Sequence, residues 1–227
     1  MRYTLAVLLM MAGGTIALAA MDQTDLAALK QKAVAGDPAA QVKVGMSYAF
    51  SYPRDSKEAI RWLRMAADQG YPDGEYRLGG MLDVGIQPQN PTEAIKWYTL
   101  AAKQGFKDAQ YRLGVMYDQG RGVAQSYAEA ARWYQKAAEQ GRPEAQYRLG
   151  DMYERGQGVP QDYRQAMNWY MQAAQQNRAE AEFKVGQFYE LGYGVAKSRD
   201  QAIAWYQRSN QHGDPLAGEA IKALDQQ

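Results

Sequence analysis

One pattern of about 36 residues recurs along the chain, and this periodicity constrains the fold more than any other feature of the sequence. The two clearest copies follow one another between Glu144 and Gly213. The first half of each copy contains a glycine that closes a Leu-Gly or Val-Gly pair: Gly45, Gly79, Gly114, Gly150 and Gly186. The second half contains a tryptophan: Trp62, Trp97, Trp133, Trp169 and Trp205. Neighbouring markers lie 34 to 36 residues apart, so a stack of five repeats is predicted.

Each repeat is predicted to form two antiparallel helices, because its apolar and small residues recur at steps of three and four. In the fourth copy, Leu149 and Met152 belong to the inner stripe of the first helix. Trp169 and Tyr170 belong to that of the second helix, where the aromatic rings are expected to fill the groove between repeats. The marker glycine would allow a neighbouring helix to approach closely. The predicted fold is therefore all-α.

The ends of the second helices are also encoded. A residue suited to capping a helix N-terminus stands three residues before a Glu or Gln in each copy: Asp55, Asn90, Ser126, Asp162 and Ser198. A residue that tolerates positive φ follows each second helix: Gly70, Gly105, Gly141, Asn177 and Gly213. Five second helices are therefore expected to begin and end at matching positions.

The regions outside the five repeats have their own signatures. Residues 1–20 carry one positive charge, an apolar core and the small-residue motif Ala17-Leu18-Ala19, which predicts a signal peptide cut near Ala19 or Ala20. An uncleaved N-terminal anchor is the alternative. Residues 22–37 are expected to form a half-repeat cap, residues 38–213 the five repeats, and residues 214–227 a C-terminal capping helix. A periplasmic or secreted protein without stable membrane insertion follows.

Composition excludes several classes of function. The chain has no cysteine, so it forms no disulfide, and its 26 basic and 25 acidic residues lack the basic excess that nucleic-acid binding needs. The single histidine, His212, is expected at a solvent-facing helix end, where it serves no nucleophile. We therefore predict no catalytic residues, no cofactor and no metal site.

Three sets of residues are candidates for binding a partner. The aromatic ladder stands three residues before the marker glycines: Tyr76, Tyr111, Tyr147 and Phe183. These rings either grip a partner or pack the repeats together. The acidic ladder follows the same glycines by four residues, where a polar rim for a protein partner is expected: Asp83, Asp118, Glu154 and Glu190. In the first copy, Phe50 and Tyr52 are part of an apolar patch that is either exposed or covered by the N-terminal half-repeat.

A basic ladder runs through the first helices two residues before each marker glycine: Lys43, Arg77, Arg112, Arg148 and Lys184. It could attract an acidic partner. In the last four copies, however, an acidic residue stands four positions earlier: Asp73, Asp108, Glu144 and Glu180. This order favours salt bridges within the helix, so local pairing is the expected role of these residues.

The motifs resemble the Sel-one-like repeat, a subclass of the tetratricopeptide-like solenoids. The resemblance is carried by A-x-Y-x-L-G-x-x-Y-x-x-G-x-G-V and by A-x-x-W-Y-x-x-A-A-x-x-G in residues 109–123 and 130–141, and again in the next two copies. It implies a right-handed superhelix of helical hairpins whose first helices line a concave face that holds protein partners. Cysteine-rich members staple each repeat with a disulfide, which this chain cannot do.

The resemblance implies an adaptor that binds another protein. The leader predicts export, the caps at both ends of the stack favour a monomer, and the lack of catalytic residues favours a non-catalytic role. The alternative hypothesis is a cell-envelope enzyme or a cell-wall saccharide-binding protein that uses the acidic and aromatic ladders. Under that hypothesis Glu154, Glu190 and Tyr147 would contact the saccharide.

Overall fold

The computed structural model describes residues 23–51, 53–85 and 89–226, and this part of the chain is helical throughout, with no strand. Its α-helices are α1 (Gln23–Val34), α2 (Pro38–Phe50), α3 (Ser56–Asp68), α4 (Pro72–Gly80), α5 (Pro91–Lys103), α6 (Lys107–Gln119), α7 (Tyr127–Glu139), α8 (Pro143–Arg155), α9 (Tyr163–Ala174), α10 (Ala179–Leu191), α11 (Arg199–Gln211) and α12 (Ala217–Asp225). A short π-helix, Met81–Gly85, continues α4. The predicted all-α class is confirmed. The predicted signal peptide and Tyr52 lie outside the described residues.

Each repeat is a helical hairpin. The first helices of the five repeats are α2, α4, α6, α8 and α10, and the second helices are α3, α5, α7, α9 and α11. Helices α1 and α12 flank this series. The chain divides into two compact units: the first runs to Ala109 and includes Arg121–Val123, and the second comprises Gln110–Gly120 and the chain from Ala124 onward.

The predicted N-terminal caps of the second helices are all present. The Asp55 carboxylate accepts a hydrogen bond from the Glu58 amide at 3.0 Å, and Asn90, Ser126, Asp162 and Ser198 do the same for the amide three residues later. These bonds satisfy amides that have no partner inside the helix. The predicted C-terminal residues all have positive φ, and Asn177, with φ of 60°, takes the place of glycine in the fourth repeat.

A tyrosine of the second helix packs against the marker glycine of the first helix in the last four repeats. Tyr170 is fully buried, and a Cβ atom added to Gly150 would lie only 2.7 Å from its Cδ1 atom. The same contact joins Gly79 to Tyr98, Gly114 to Tyr134 and Gly186 to Tyr206; in the first repeat Leu63 replaces the tyrosine beside Gly45. Glycine is needed here because a ring occupies the space of a side chain.

The tryptophans have a different position from the one expected. The sequence pattern placed Trp169 and Tyr170 together in the inner stripe, but only Tyr170 is fully buried, and Trp169 is half-buried. Successive residues of a helix point about 100° apart, so two adjacent large rings are not buried to the same extent in the last four repeats. Trp169 packs at the edge of a cluster that contains Tyr134 of the preceding repeat. Trp97, Trp133 and Trp205 are also half-buried, whereas Trp62 is only 7% exposed.

Replacing Gly150 with alanine tests the contact between glycine and tyrosine. The added methyl group must displace the Tyr170 ring, and overpacking of this kind costs about 1–3 kcal/mol. The expected result is a lower free energy of unfolding, measured by urea denaturation, although alanine is the better helix former.

Gly218→Ala in α12 is the matched control. A Cβ atom at Gly218 would meet only the Asn210 Oδ1 atom, at 3.5 Å, so this variant should be as stable as the wild type or slightly more stable. Equal stability of both variants would contradict the proposed packing.

Candidate partner-binding surface

The aromatic ladder rests on the buried tyrosines. In the second unit, the rings of Tyr111, Tyr147 and Phe183 lie 5.7, 5.5 and 5.2 Å from the rings of Tyr134, Tyr170 and Tyr206, measured between centroids. In the first unit, Tyr76 contacts Tyr98 at 5.8 Å and Phe106 at 5.2 Å. All four ladder residues are half-buried. The ladder therefore packs the repeats and also keeps part of each ring at the surface.

Two arginines cover the ladder in the second unit. Arg142 lies with its guanidinium 4.5 Å from the centroid of Tyr111, and Arg178 lies 5.1 Å from that of Tyr147. Each arginine immediately precedes the first helix of the next repeat, at the N-cap position. A guanidinium over a ring is attracted by the negative face of the π system. These contacts therefore join successive repeats.

The acidic ladder is held by hydrogen bonds from the buried tyrosines. The Tyr170 hydroxyl donates to the Glu154 carboxylate at 2.6 Å, and the Tyr206 hydroxyl donates to Glu190 at 2.5 Å. The Tyr134 hydroxyl lies 3.5 Å from the Asp118 carboxylate. Burial, followed by the nearby carboxylates, raises the pKa of Tyr170 and of Tyr206, so both hydroxyls remain protonated donors. The sequence had suggested a polar rim, but these carboxylates stabilise their own repeats.

Asp83, the first acid of the ladder, has another role. It is buried, with a side-chain exposure of 7%, and forms an ion pair with the Arg121 Nε atom at 2.9 Å. Arg121 also donates to the Asp83 carbonyl oxygen at 2.5 Å. Asp83 thus holds the segment Arg121–Val123 within the first unit, and it does not belong to an open rim.

The basic ladder shows two kinds of contact, pairing within a helix and contact with the preceding repeat. The predicted local pair is confirmed for Arg77 and Asp73, at 2.8 Å. Lys184 instead contacts Glu154 of the preceding repeat at 3.0 Å. Arg148 likewise interacts with the Tyr111 hydroxyl and with Asp118 of the repeat before it.

The acids expected to pair with these two cations have other partners. Glu144 contacts Arg142 at 3.3 Å and Glu180 contacts Arg178 at 3.6 Å, so local pairing was wrong for both acids. Arg142 and Arg178 are the same arginines that cover the aromatic ladder. Their positions explain why Glu144 and Glu180 pair with them and not with the basic ladder.

The apolar patch of the first repeat is mostly internal. Val42, Met46 and Ala49 are buried, and Phe50 is half-buried. Helix α1 packs nearby, since its Ala33 belongs to a core cluster with Val44 of α2. These three residues are therefore buried and do not form an exposed patch.

A ladder of buried polar residues was missed. It stands four residues before each marker glycine: Gln41, Glu75, Gln110, Gln146 and Glu182, all at most 4% exposed. Each one contacts a residue one or two positions beyond the end of the second helix of its repeat: Gln69, Gln104, Gln140, Gln176 and His212, at 2.7 to 2.9 Å. The two residues of each pair lie 28 to 30 positions apart in the sequence, and this nearly constant spacing could have revealed the pairs.

At the last position of this ladder the buried residue also meets an arginine. Glu182 is fully buried and is contacted by His212 Nδ1 at 2.7 Å and by Arg208 at 3.0 Å. The expectation that His212 lies at a solvent-facing helix end was therefore incomplete, because its ring bonds to a buried carboxylate. By contrast, the Glu75 carboxylate accepts a hydrogen bond from the neutral amide of Gln104, at 2.9 Å.

Within residues 23–51, 53–85 and 89–226, no group of three or more His, Asp or Glu side chains is arranged to hold a metal ion. In the same ranges, no helix has the length and apolar character needed to cross a bilayer.

The repeats match a known family in all five copies. The model of the Sel1 repeat matches residues 38–71, 72–106, 107–141, 143–177 and 179–214. The chain belongs to the Sel1 repeat family. Proteins built from Sel1 repeats are typically protein-interaction scaffolds and are generally non-catalytic. A search of curated proteins gives no match.

Solved structures of Sel1 repeat proteins have the same fold. A protective antigen of uropathogenic Escherichia coli with an SLR fold is 38% identical over 88% of this chain, with a TM-score of 0.83. A Sel1 repeat protein of Oxalobacter formigenes is 36% identical over 88%, with a TM-score of 0.78. This chain covers 43% and 59% of those two structures. A putative Sel1 repeat protein of Klebsiella pneumoniae, 24% identical with a TM-score of 0.54, shares the fold and is covered over 99% of its length.

Replacing Glu75 with glutamine tests the buried polar ladder. Burial raises the pKa of the Glu75 carboxyl, and the hydrogen bond from Gln104 only partly opposes this. The folded state therefore binds the proton more tightly than the unfolded state, so stability is highest below the unfolded pKa of about 4.3 and falls as pH rises through the folded pKa. At pH 7 we expect Glu75→Gln to raise Tm by roughly a few degrees, with the difference vanishing near pH 4.

Glu182→Gln provides the comparison at the same position of another repeat. Because Glu182 binds Arg208 and His212, its replacement should lower Tm at neutral pH. Thermal denaturation of both variants between about pH 4 and pH 8 gives the answer. A Glu75→Gln variant that is less stable than the wild type at pH 7 would show that the charge is well accommodated.

Proposed function

We propose that this protein is a non-catalytic scaffold that binds another protein through the first helices of its second unit. The surface in question, here named the first-helix face, comprises Tyr111, Tyr147, Arg148, Phe183, Lys184 and Gln187. The observation that carries the proposal is that aromatic and charged side chains recur on this face at 36-residue spacing and stay half-buried or exposed.

The chemistry of the first-helix face suits a protein partner. Tyr, Phe and Arg are enriched in protein interfaces, where rigid rings supply contact area and charged groups supply orientation. The rings of Tyr147 and Phe183 are supported from below by Tyr170 and Tyr206, so they lose little freedom when a partner binds. Membership in a family of protein-interaction scaffolds supports the same function.

The alternative of saccharide binding or hydrolysis has less support. It relies on Glu154, Glu190 and Tyr147. Glu154 already accepts from Tyr170 and Lys184, and Tyr147 lies against Tyr170 and beneath Arg178. A carboxylate that is engaged twice within the fold is a poor acid or base for a sugar.

We also propose that the chain is exported and monomeric. The first 20 residues have the pattern of a cleavable signal peptide. The numbers of basic and acidic residues are nearly equal, which gives no reason to expect nucleic acid as a partner. The mass of the protein recovered from the periplasm or the medium would show removal of the leader. An intact leader would favour the anchored alternative.

A photocrosslinking experiment tests the proposed face. Photoreactive p-benzoylphenylalanine replaces Gln187 on α10 in one variant and Gln207 on α11 in another, and the full chain is expressed in its native host. We expect the Gln187 variant to give one recurrent protein adduct, identified by mass spectrometry, because Gln187 lies on the first-helix face.

The Gln207 variant is the matched control, since it changes the same residue type on the exposed side of the second helix of the same repeat. It should give no such adduct. Equal adducts from both positions would place binding elsewhere, and the absence of adducts in several growth conditions would contradict a scaffold role.

A further inference from the structure

Two acids of the second unit's ladder, Asp118 and Glu154, each have two partners, one of which comes from the next repeat. Glu154 accepts a hydrogen bond from Tyr170 at 2.6 Å and contacts the Lys184 ammonium at 3.0 Å. One repeat earlier, Asp118 lies beside Tyr134 and interacts with Arg148. A carboxylate that accepts from a hydroxyl at one oxygen and from a cation at the other is well solvated by the protein itself.

This arrangement is incomplete at the last repeat. Glu190 lies 36 residues after Glu154 and accepts from Tyr206 at 2.5 Å. The position 36 residues after Lys184, which should supply the cation, is Ala220 in α12. Among the described residues, no Lys, Arg or His forms an ion pair with Glu190. Ala220 packs against the cluster that contains Tyr206. A short alanine side chain therefore stands where the preceding repeat has Lys184.

The surroundings of Glu190 are open and partly apolar. Glu190, Phe183 and Gln187 are half-buried, and the adjacent Leu191 is 52% exposed. These four residues occupy positions i, i+4, i+7 and i+8 of α10, so they share one face of the helix. A half-buried carboxylate beside an exposed leucine is suited to a basic residue that has apolar neighbours.

We infer that Glu190, together with the Tyr206 hydroxyl, binds a lysine or arginine side chain of the partner protein. This inference rests on the proposed scaffold function and specifies the chemistry of the partner. The ammonium or guanidinium occupies the place that the Lys184 ammonium has beside Glu154. Leu191 contacts apolar residues next to that basic residue.

A double-mutant cycle tests whether the site accepts a cation, without any partner. Ala220→Lys supplies the missing cation from within the chain, and its stem can pack where alanine now packs. We expect Tm to rise by roughly 2–4 °C in the Glu190 background, and this gain should disappear in the Glu190→Gln background. Ala220→Met, which adds a stem without charge, should not show this dependence on Glu190. A gain from Ala220→Lys that is equal in both backgrounds would overturn the inference.

Peptide selection then tests the partner's chemistry. A random 12-residue peptide library is displayed on phage and selected on the folded wild-type chain. We expect enriched peptides with a lysine or arginine beside apolar residues. Their affinity for Glu190→Gln and for Ala220→Lys should be at least about tenfold weaker, since a hydrogen bond to a charged group contributes roughly that factor. Circular dichroism confirms that each variant is folded.

The outcomes separate the inference from the function on which it rests. Peptides that bind the first-helix face but lack a basic residue, or that bind Glu190→Gln equally well, overturn the inference and leave the scaffold function standing. A dimer of the chain that dissociates in Glu190→Gln overturns it as well, because the cation then comes from a second copy. Failure to enrich any peptide contradicts both.

Discussion

The contact between a second-helix tyrosine and a first-helix glycine is the interaction on which the rest of each later repeat depends. Tyr170 lies on the backbone at Gly150, and its position brings its hydroxyl to Glu154. Glu154 in turn receives Lys184 from the following repeat. A single ring therefore fixes the spacing of its own hairpin and also the place where the next hairpin is attached. This is why the glycine and the tyrosine recur with the same period.

The sequence predicts the local features of the fold well, because these depend on neighbours along the chain. Capping by Asp55 or Ser126 requires only an amide three residues away, and the positive φ of Asn177 follows from the need to end a helix. The period of the repeat gives the number of hairpins. These features could therefore be derived from the residues alone.

The features that the sequence did not reveal depend on contacts between repeats. Trp169 and Tyr170 are adjacent and both aromatic, and only the packing against Gly150 decides which of them is buried. Lys184 has a suitable acid four residues earlier, yet it contacts Glu154, 30 residues away. The acidic ladder was therefore expected to form an open polar rim, although most of its carboxylates have partners within the fold. The acid and the tyrosine that bonds to it lie 16 residues apart in three successive repeats, as Glu154 and Tyr170 do. This constant offset was the signal in the sequence that could have revealed these bonds.

The dependence of each acid on the following repeat has a consequence for how such proteins change length. If residues 179–214 were duplicated in tandem, Glu190 would gain the lysine it now lacks, and the new terminal copy would present an equivalent vacant carboxylate. Adding or removing a repeat before α12 would therefore move the carboxylate that lacks a cation to another copy, and its surroundings would stay the same. A recognition feature that belongs to whichever repeat precedes α12, and not to a numbered repeat, can persist while the number of repeats before it changes during evolution.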